Sequence, residues 1–171
     1  MGAETLSTDA VVHELYESGD VRDAVVARFG VSVAPNGHVD RARLAELAFA
    51  TPADRAWLEG LLWPLVGARI AAFRAAGESR QPPPRASVVE VPLLFESGND
   101  HDFDVTVAVV VDEQVRDARA QGRGHRALAA RAARQLPQAE KAARSTYVIE
   151  NDGDIAELEQ RLSELLHILG R

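Results

Sequence analysis

The chain has no cysteine, so disulfides, thiolate catalysis and cysteine-ligated metals are all excluded. It has a single lysine, Lys141, and no glycine-rich loop precedes it. The phosphate-cradling signature Gly-x-x-x-x-Gly-Lys-Ser/Thr therefore does not occur in these residues. Its five histidines, His13, His38, His101, His125 and His167, are scattered, with no pair at i, i+4 spacing. No zinc site is expected from them. No apolar stretch approaches the length that spans a bilayer, and the N-terminus lacks a basic-then-apolar signal pattern. The cytoplasm is the expected compartment, with no membrane partner.

What is present is an ordinary globular composition. Of 171 residues, 46% are apolar and 26% charged, enough for one domain with a real core. A net charge of −7 and a pI near 5.2 argue against a dedicated nucleic-acid partner. They do not exclude an anionic nucleotide held by a local arginine cluster. Nearly all the basic residues are arginine, which suits carboxylate and phosphate recognition but also follows from genomic base composition.

Strand-like and helical segments alternate along the chain. A short strand at the start ends in polar residues, and Asp9 stands where it can cap a helix from Ala10 to Glu17. A second amphipathic segment, Val21 to Phe29, is closed by Gly30, and Pro35-Asn36-Gly37 marks a turn. Asp40 caps a helix from about Arg41 to Phe49. Thr51-Pro52 opens the next, through Trp57 and Leu62, and a further helix passes Val66 and Ile70 to about Ala76. After a proline-rich loop, Ser87 to Leu94 reads as a parallel strand buried on both faces, its C-terminal end opening into a functional loop at Pro92. Val105 to Val111 reads as a second buried strand. An arginine-laden helical stretch, Glu113 to Ala133, precedes a helix at Gln138 to Arg144. A last strand at Tyr147-Val148-Ile149 turns through Asn151-Asp152-Gly153 into the C-terminal helix. This alternation predicts an α/β fold with a parallel sheet and flanking helices.

The run Glu90-Val91-Pro92-Leu93-Leu94-Phe95-Glu96 resembles the signature of dephospho-CoA kinases, P-loop kinases that phosphorylate the ribose 3′-hydroxyl of dephospho-CoA. The likeness extends from residue 2 to about residue 166. It implies a P-loop kinase-like sheet, a helical CoA-binding insertion at about 36–76 and an arginine-rich lid at about 113–135, within one domain spanning 1–171. Asp9 matches the second acid of the family's Asp-x-Asp, taken as the catalytic base, while Ser7 replaces the first. A plain helix cap explains Asp9 as well. Arg41 and Leu44 fall in the insertion, and Pro92, Leu93 and Glu96 in the signature; the resemblance makes these five the substrate-binding candidates. Where the family has His-Pro the chain has Trp63-Pro64; Trp63 either stacks on adenine or belongs to the core, and the core is the expectation. Arg131 is the candidate lid arginine, in competition with Arg116, Arg119, Arg123, Arg126 and Arg134. Gln135, Glu140 and Lys141 match further lid positions. Asn151 and Gly153 match the turn that lies against the nucleotide base, and equally make a tight turn before a helix. ATP and Mg2+ are the implied cosubstrate and cofactor, with no protein metal ligand assigned.

The family's first strand, P-loop and first helix, on the order of 30 residues, have no counterpart among these residues. In the family that strand is central, between the strands placed here at 87–94 and 105–111. The expectation is a shortened or degenerate chain that transfers phosphate poorly. The alternative is a non-catalytic CoA- or nucleotide-binding module; a different nucleoside monophosphate kinase-like protein ranks third.

Overall fold

Strand β1 (Glu4–Ser7) pairs in parallel with β2 (Ser87–Glu90), in register from Glu4 with Ser87 to Ser7 with Glu90. Residues 8–86, mostly helical, join them, as a parallel connection requires. In the computed structural model, which describes residues 2–120 and 135–170, this pair belongs to a compact unit, Gly2–Val91. The chain from Pro92 onward forms a second unit.

In the first unit, α1 (Thr8–Glu17) and α2 (Gly19–Phe29) follow β1. Gly30 ends α2 with φ of 85°, a backbone setting in which a side chain would be strained. Asp40 caps α3 (Arg41–Ala48), its carboxylate accepting from the Ala42 and Arg43 amides. Thr51 caps α4 (Pro52–Glu78), with proline in the first turn. Val11, Leu15, Val21, Val25, Val33, Leu44, Leu58 and Leu62 interlock as the core of this unit.

The two helices expected between residues 51 and 76 are one, of 27 residues. Pro64 forfeits one backbone bond, but packing on both sides of it, at Leu58, Leu62 and Val66, holds the helix continuous. By length and composition α4 also passes for a membrane span, with mean hydropathy 1.2, against the expectation that no stretch would. Its Leu58–Leu62 side nevertheless lies in the core. Trp63, expected in the core, is 53% exposed: at helical spacing it falls on the side opposite the Leu58–Leu62 face.

In the second unit, β3 (Val107–Val110) pairs in parallel with β4 (Tyr147–Glu150). The one-turn α5 (Leu94–Ser97) lies near the start, ended by Gly98 in the left-handed region. Among the described residues, helices α6 (Glu113–Ala120), α7 (Gln138–Arg144) and α8 (Ile155–Leu169) also belong to it. Helix α7 packs on β3 and α8 on β4.

Two strand expectations need correction. The strand placed at 87–94 stops at Glu90, because Pro92 cannot donate to a ladder and the chain turns into α5. Neither β2 nor β3 is buried on both faces: Val88, Val107 and Val109 are exposed. Among the described residues each sheet has only two strands. A strand with one neighbour and one covering helix cannot bury both its faces.

Candidate functional site

Asp9 stands in the first turn of α1, immediately past the carboxyl end of β1. It is not the cap: the helix begins at Thr8, and Ser7 occupies the cap position without a side-chain bond. The Thr8 hydroxyl donates to the Glu90 carbonyl at 3.0 Å and ties the start of α1 to the end of β2. Asp9 is thereby fixed where parallel strands end, the usual place for ligands in open α/β sheets. Its carboxylate is exposed, and its charge suits the helix N-terminus.

Arg41 opens α3 and is exposed. Its charge works against the burial that raises the Tyr16 pKa. Leu44, one turn on, is 1% exposed and lies in the core. Its side chain seats α3 and cannot touch a substrate. This removes Leu44 from the substrate-binding candidates.

In the second unit, the segment Pro92–Gly98 is held by polar contacts from residues 136–144. Glu96 Oε1 lies 2.9 Å from Lys141 Nζ and accepts from the Leu136 amide at 2.7 Å. Lys141 also donates to the Pro92 carbonyl at 3.0 Å. Burial alone would push the Glu96 carboxyl up, but the bonds from Lys141 and Leu136 outweigh it and hold the group below its ordinary range. Arg144 stacks over the Phe95 ring at 4.8 Å and reaches the Phe95 carbonyl at 3.4 Å. Leu93, by contrast, is 40% exposed. The segment turns its carbonyls to cationic side chains and leaves an apolar one outside.

Asn151 and Gly153 lie in the turn between β4 and α8. Arg119 of α6 grips this turn, donating to the Asn151 carbonyl at 2.6 Å and the Gly153 carbonyl at 2.8 Å. The Asp112 amide bonds the Asp152 carboxylate at 2.6 Å, so both ends of α6 are fastened to the turn. Arg131 lies outside the described residues. No group of three His, Asp or Glu side chains among the described residues could hold a metal ion.

Residue identity alone does not single out Arg119 among the six competing arginines, nor Lys141 beyond its match to a lid position. The one available signal was that Lys141 has no other lysine for company.

The profile of the dephospho-CoA kinase family matches residues 1–157. A dephospho-CoA kinase of Rhodopseudomonas palustris is 36% identical over 169 residues, which cover 96% of this chain and 82% of that protein. A crystal structure from Thermus thermophilus superposes with a TM-score of 0.75 at 29% identity, covering 98% of this chain and 85% of its own. The dephospho-CoA kinase of Campylobacter jejuni shares the fold, with a TM-score of 0.68 at 22% identity over 99% of this chain and 86% of its own. On these grounds the chain belongs to the dephospho-CoA kinase family.

Proposed function

We propose that this chain binds dephospho-CoA and presents it for phosphorylation at the ribose 3′-hydroxyl, with ATP as phosphate donor, in the cytoplasm. In this reading Asp9 accepts the hydroxyl proton and orients the oxygen. Arg41 pairs with substrate phosphate. Pro92 and Leu93 contact the substrate's apolar portion, and Glu96 shapes the loop that carries them. Asn151 and Gly153 border the nucleotide base, their carbonyls held by Arg119. Arg131 is assigned to the transferring phosphate by resemblance alone. No Mg2+ ligand is assigned and no step is derived through the ion.

The observation that carries this reading is the placement of Asp9 at the carboxyl end of a parallel strand pair, in a chain whose family is dephospho-CoA kinase. Titration calorimetry with dephospho-CoA tests the binding half; absence of heat at millimolar ligand refutes it. An assay with ATP, Mg2+ and dephospho-CoA tests the transfer half, where Asp9→Asn should lower any turnover by on the order of 10²-fold or more.

A second reading, binding of dephospho-CoA without phosphate transfer, is favoured by one observation. The sole lysine is engaged by Glu96 and the Pro92 carbonyl, so no lysine is left to neutralise a triphosphate. Dephospho-CoA binding without any ATP-dependent turnover selects it.

A further inference from the structure

Helix α7 places Gln138, Lys141 and Arg144 three residues apart on one side, and all three reach main-chain groups of other segments. Gln138 makes two bonds to Val111, accepting from its amide at 3.0 Å and donating to its carbonyl at 3.1 Å. Lys141 takes the Pro92 carbonyl and Arg144 the Phe95 carbonyl. Val111 directly follows β3. The helix therefore braces the chain where β3 ends and where the signature segment 92–98 runs.

Besides these braces the segment has its own short turn and the buried Phe95 side chain. Pro92 has no amide to donate, and α5 is a single turn held by the Ser97 amide to Leu93, the Gly98 amide to Leu94 and Phe95, and the Ser97 hydroxyl to the Leu94 carbonyl. Glu96 is mostly buried, and its Oε2 has no hydrogen-bond partner among the described residues. Compensation of the buried charge falls on Lys141, with the Leu136 amide assisting. Removing one partner of such a pair leaves an uncompensated carboxylate, which moves toward water. The segment would follow it, and Leu93 with it.

We infer that Lys141 is a positioning residue: its ammonium locks the Pro92 carbonyl and the Glu96 carboxylate in one arrangement, so that Pro92 and Leu93 meet dephospho-CoA already placed. This rests on the assignment of Pro92 and Leu93 to dephospho-CoA above. Preorganisation of this kind improves affinity by removing an ordering cost from the binding step. Lys141 itself need not touch the ligand.

The test compares wild type, Lys141→Met, Lys141→Arg and, as a control for lost stability, Leu165→Ala, a buried position on α8, the helix that packs on β4. Dephospho-CoA affinity is measured by calorimetry on the full chain, and amide exchange is followed by mass spectrometry across residues 93–98. Lys141→Met should weaken binding by roughly tenfold or more, the scale of one charged hydrogen bond, and speed exchange in 93–98. Lys141→Arg should restore most of both, since it keeps a cation with several donors. Leu165→Ala should lower the melting temperature without either effect. Equal affinity losses in Lys141→Met and Leu165→Ala would reduce the residue to ordinary stabilisation and overturn the inference. If wild type itself binds no dephospho-CoA, the substrate assignment fails, and exchange alone decides the rest: unchanged rates in 93–98 for Lys141→Met overturn the positioning role. Should Lys141→Met not fold, Lys141→Gln, which keeps a donor for Pro92 but no charge, takes its place with the same two outcomes.

Discussion

At the scale of single residues, two glycines of the same helix should respond to alanine with opposite signs. Gly77 is buried on α4, and a Cβ there would run into the Glu4 carboxylate and come within 2.9 Å of the Ser87 hydroxyl. Glu4 cannot swing aside freely, because Ser87 donates to it at 2.8 Å and Arg80 pairs with it at 3.0 Å. Gly67 has nothing within 4 Å of such a Cβ. Helix propensity favours alanine at both by about 1 kcal/mol. Gly67→Ala should therefore raise stability by about 0.5–1 kcal/mol, while Gly77→Ala should lower it by roughly 1–2 kcal/mol as the Glu4 bonds are disturbed. Urea unfolding of both variants reads the difference, and stabilisation by Gly77→Ala would show that Glu4 moves without cost. Glu96 supplies a prediction in pH. Its carboxyl is held below the ordinary value of 4.5, so the unfolded chain takes up the proton first as the pH falls. Its contribution is full above that value and is lost as pH falls through the depressed one. Glu96→Gln should therefore flatten the acid side of the stability curve. The gap in melting temperature between wild type and variant should be wide at pH 7 and narrow at pH 3.

At the scale of elements, termini were the most legible features, because caps are chemistry confined to three or four residues. Asp40 and Thr51 bond the amides that their positions imply, and Gly30 and Asp154 end and begin helices where turn residues cluster. Asp40→Ala should cost about 1 kcal/mol, read as a shift in urea midpoint without change in slope. Element lengths were less legible, since they depend on what packs around the chain. Two helices were expected, one through Leu62 and one from Val66, yet α4 runs through Pro64 between them, since lateral contacts at Leu58, Leu62 and Val66 outweigh one missing bond. Pro64→Ala should accordingly raise the melting temperature by a few degrees, because the helix is already formed around the defect and regains a bond to the Gly60 carbonyl. No change would mean that the carbonyl is already satisfied by water.

At the scale of the whole molecule, the family and the α/β architecture were readable from the signature segment and the alternation of elements, while the site was readable only in part. Leu44 illustrates the limit: a leucine within a matched motif says nothing of which way it faces, and here it faces the core. Arg119 illustrates the other limit, since its partners are backbone carbonyls, which leave no trace in residue identity. Apolar strand composition misled for a related reason. A run such as Val107–Val110 records that the strand is suited to cover on both faces, and among the described residues β3 has one neighbouring strand. Val109 is 56% exposed. An open edge carrying apolar side chains is a template for pairing between chains, although strands of four residues offer only a short one. Purified chain should therefore associate as its concentration rises. Val109→Lys should reduce that association, because a charge on the edge must be desolvated before a second chain can pair there. The measurement is light scattering over a concentration series, with circular dichroism confirming that the fold is retained. If both proteins associate equally, the β3 edge is covered in solution or plays no part, and the exposed Val88 on β2 becomes the next position to charge.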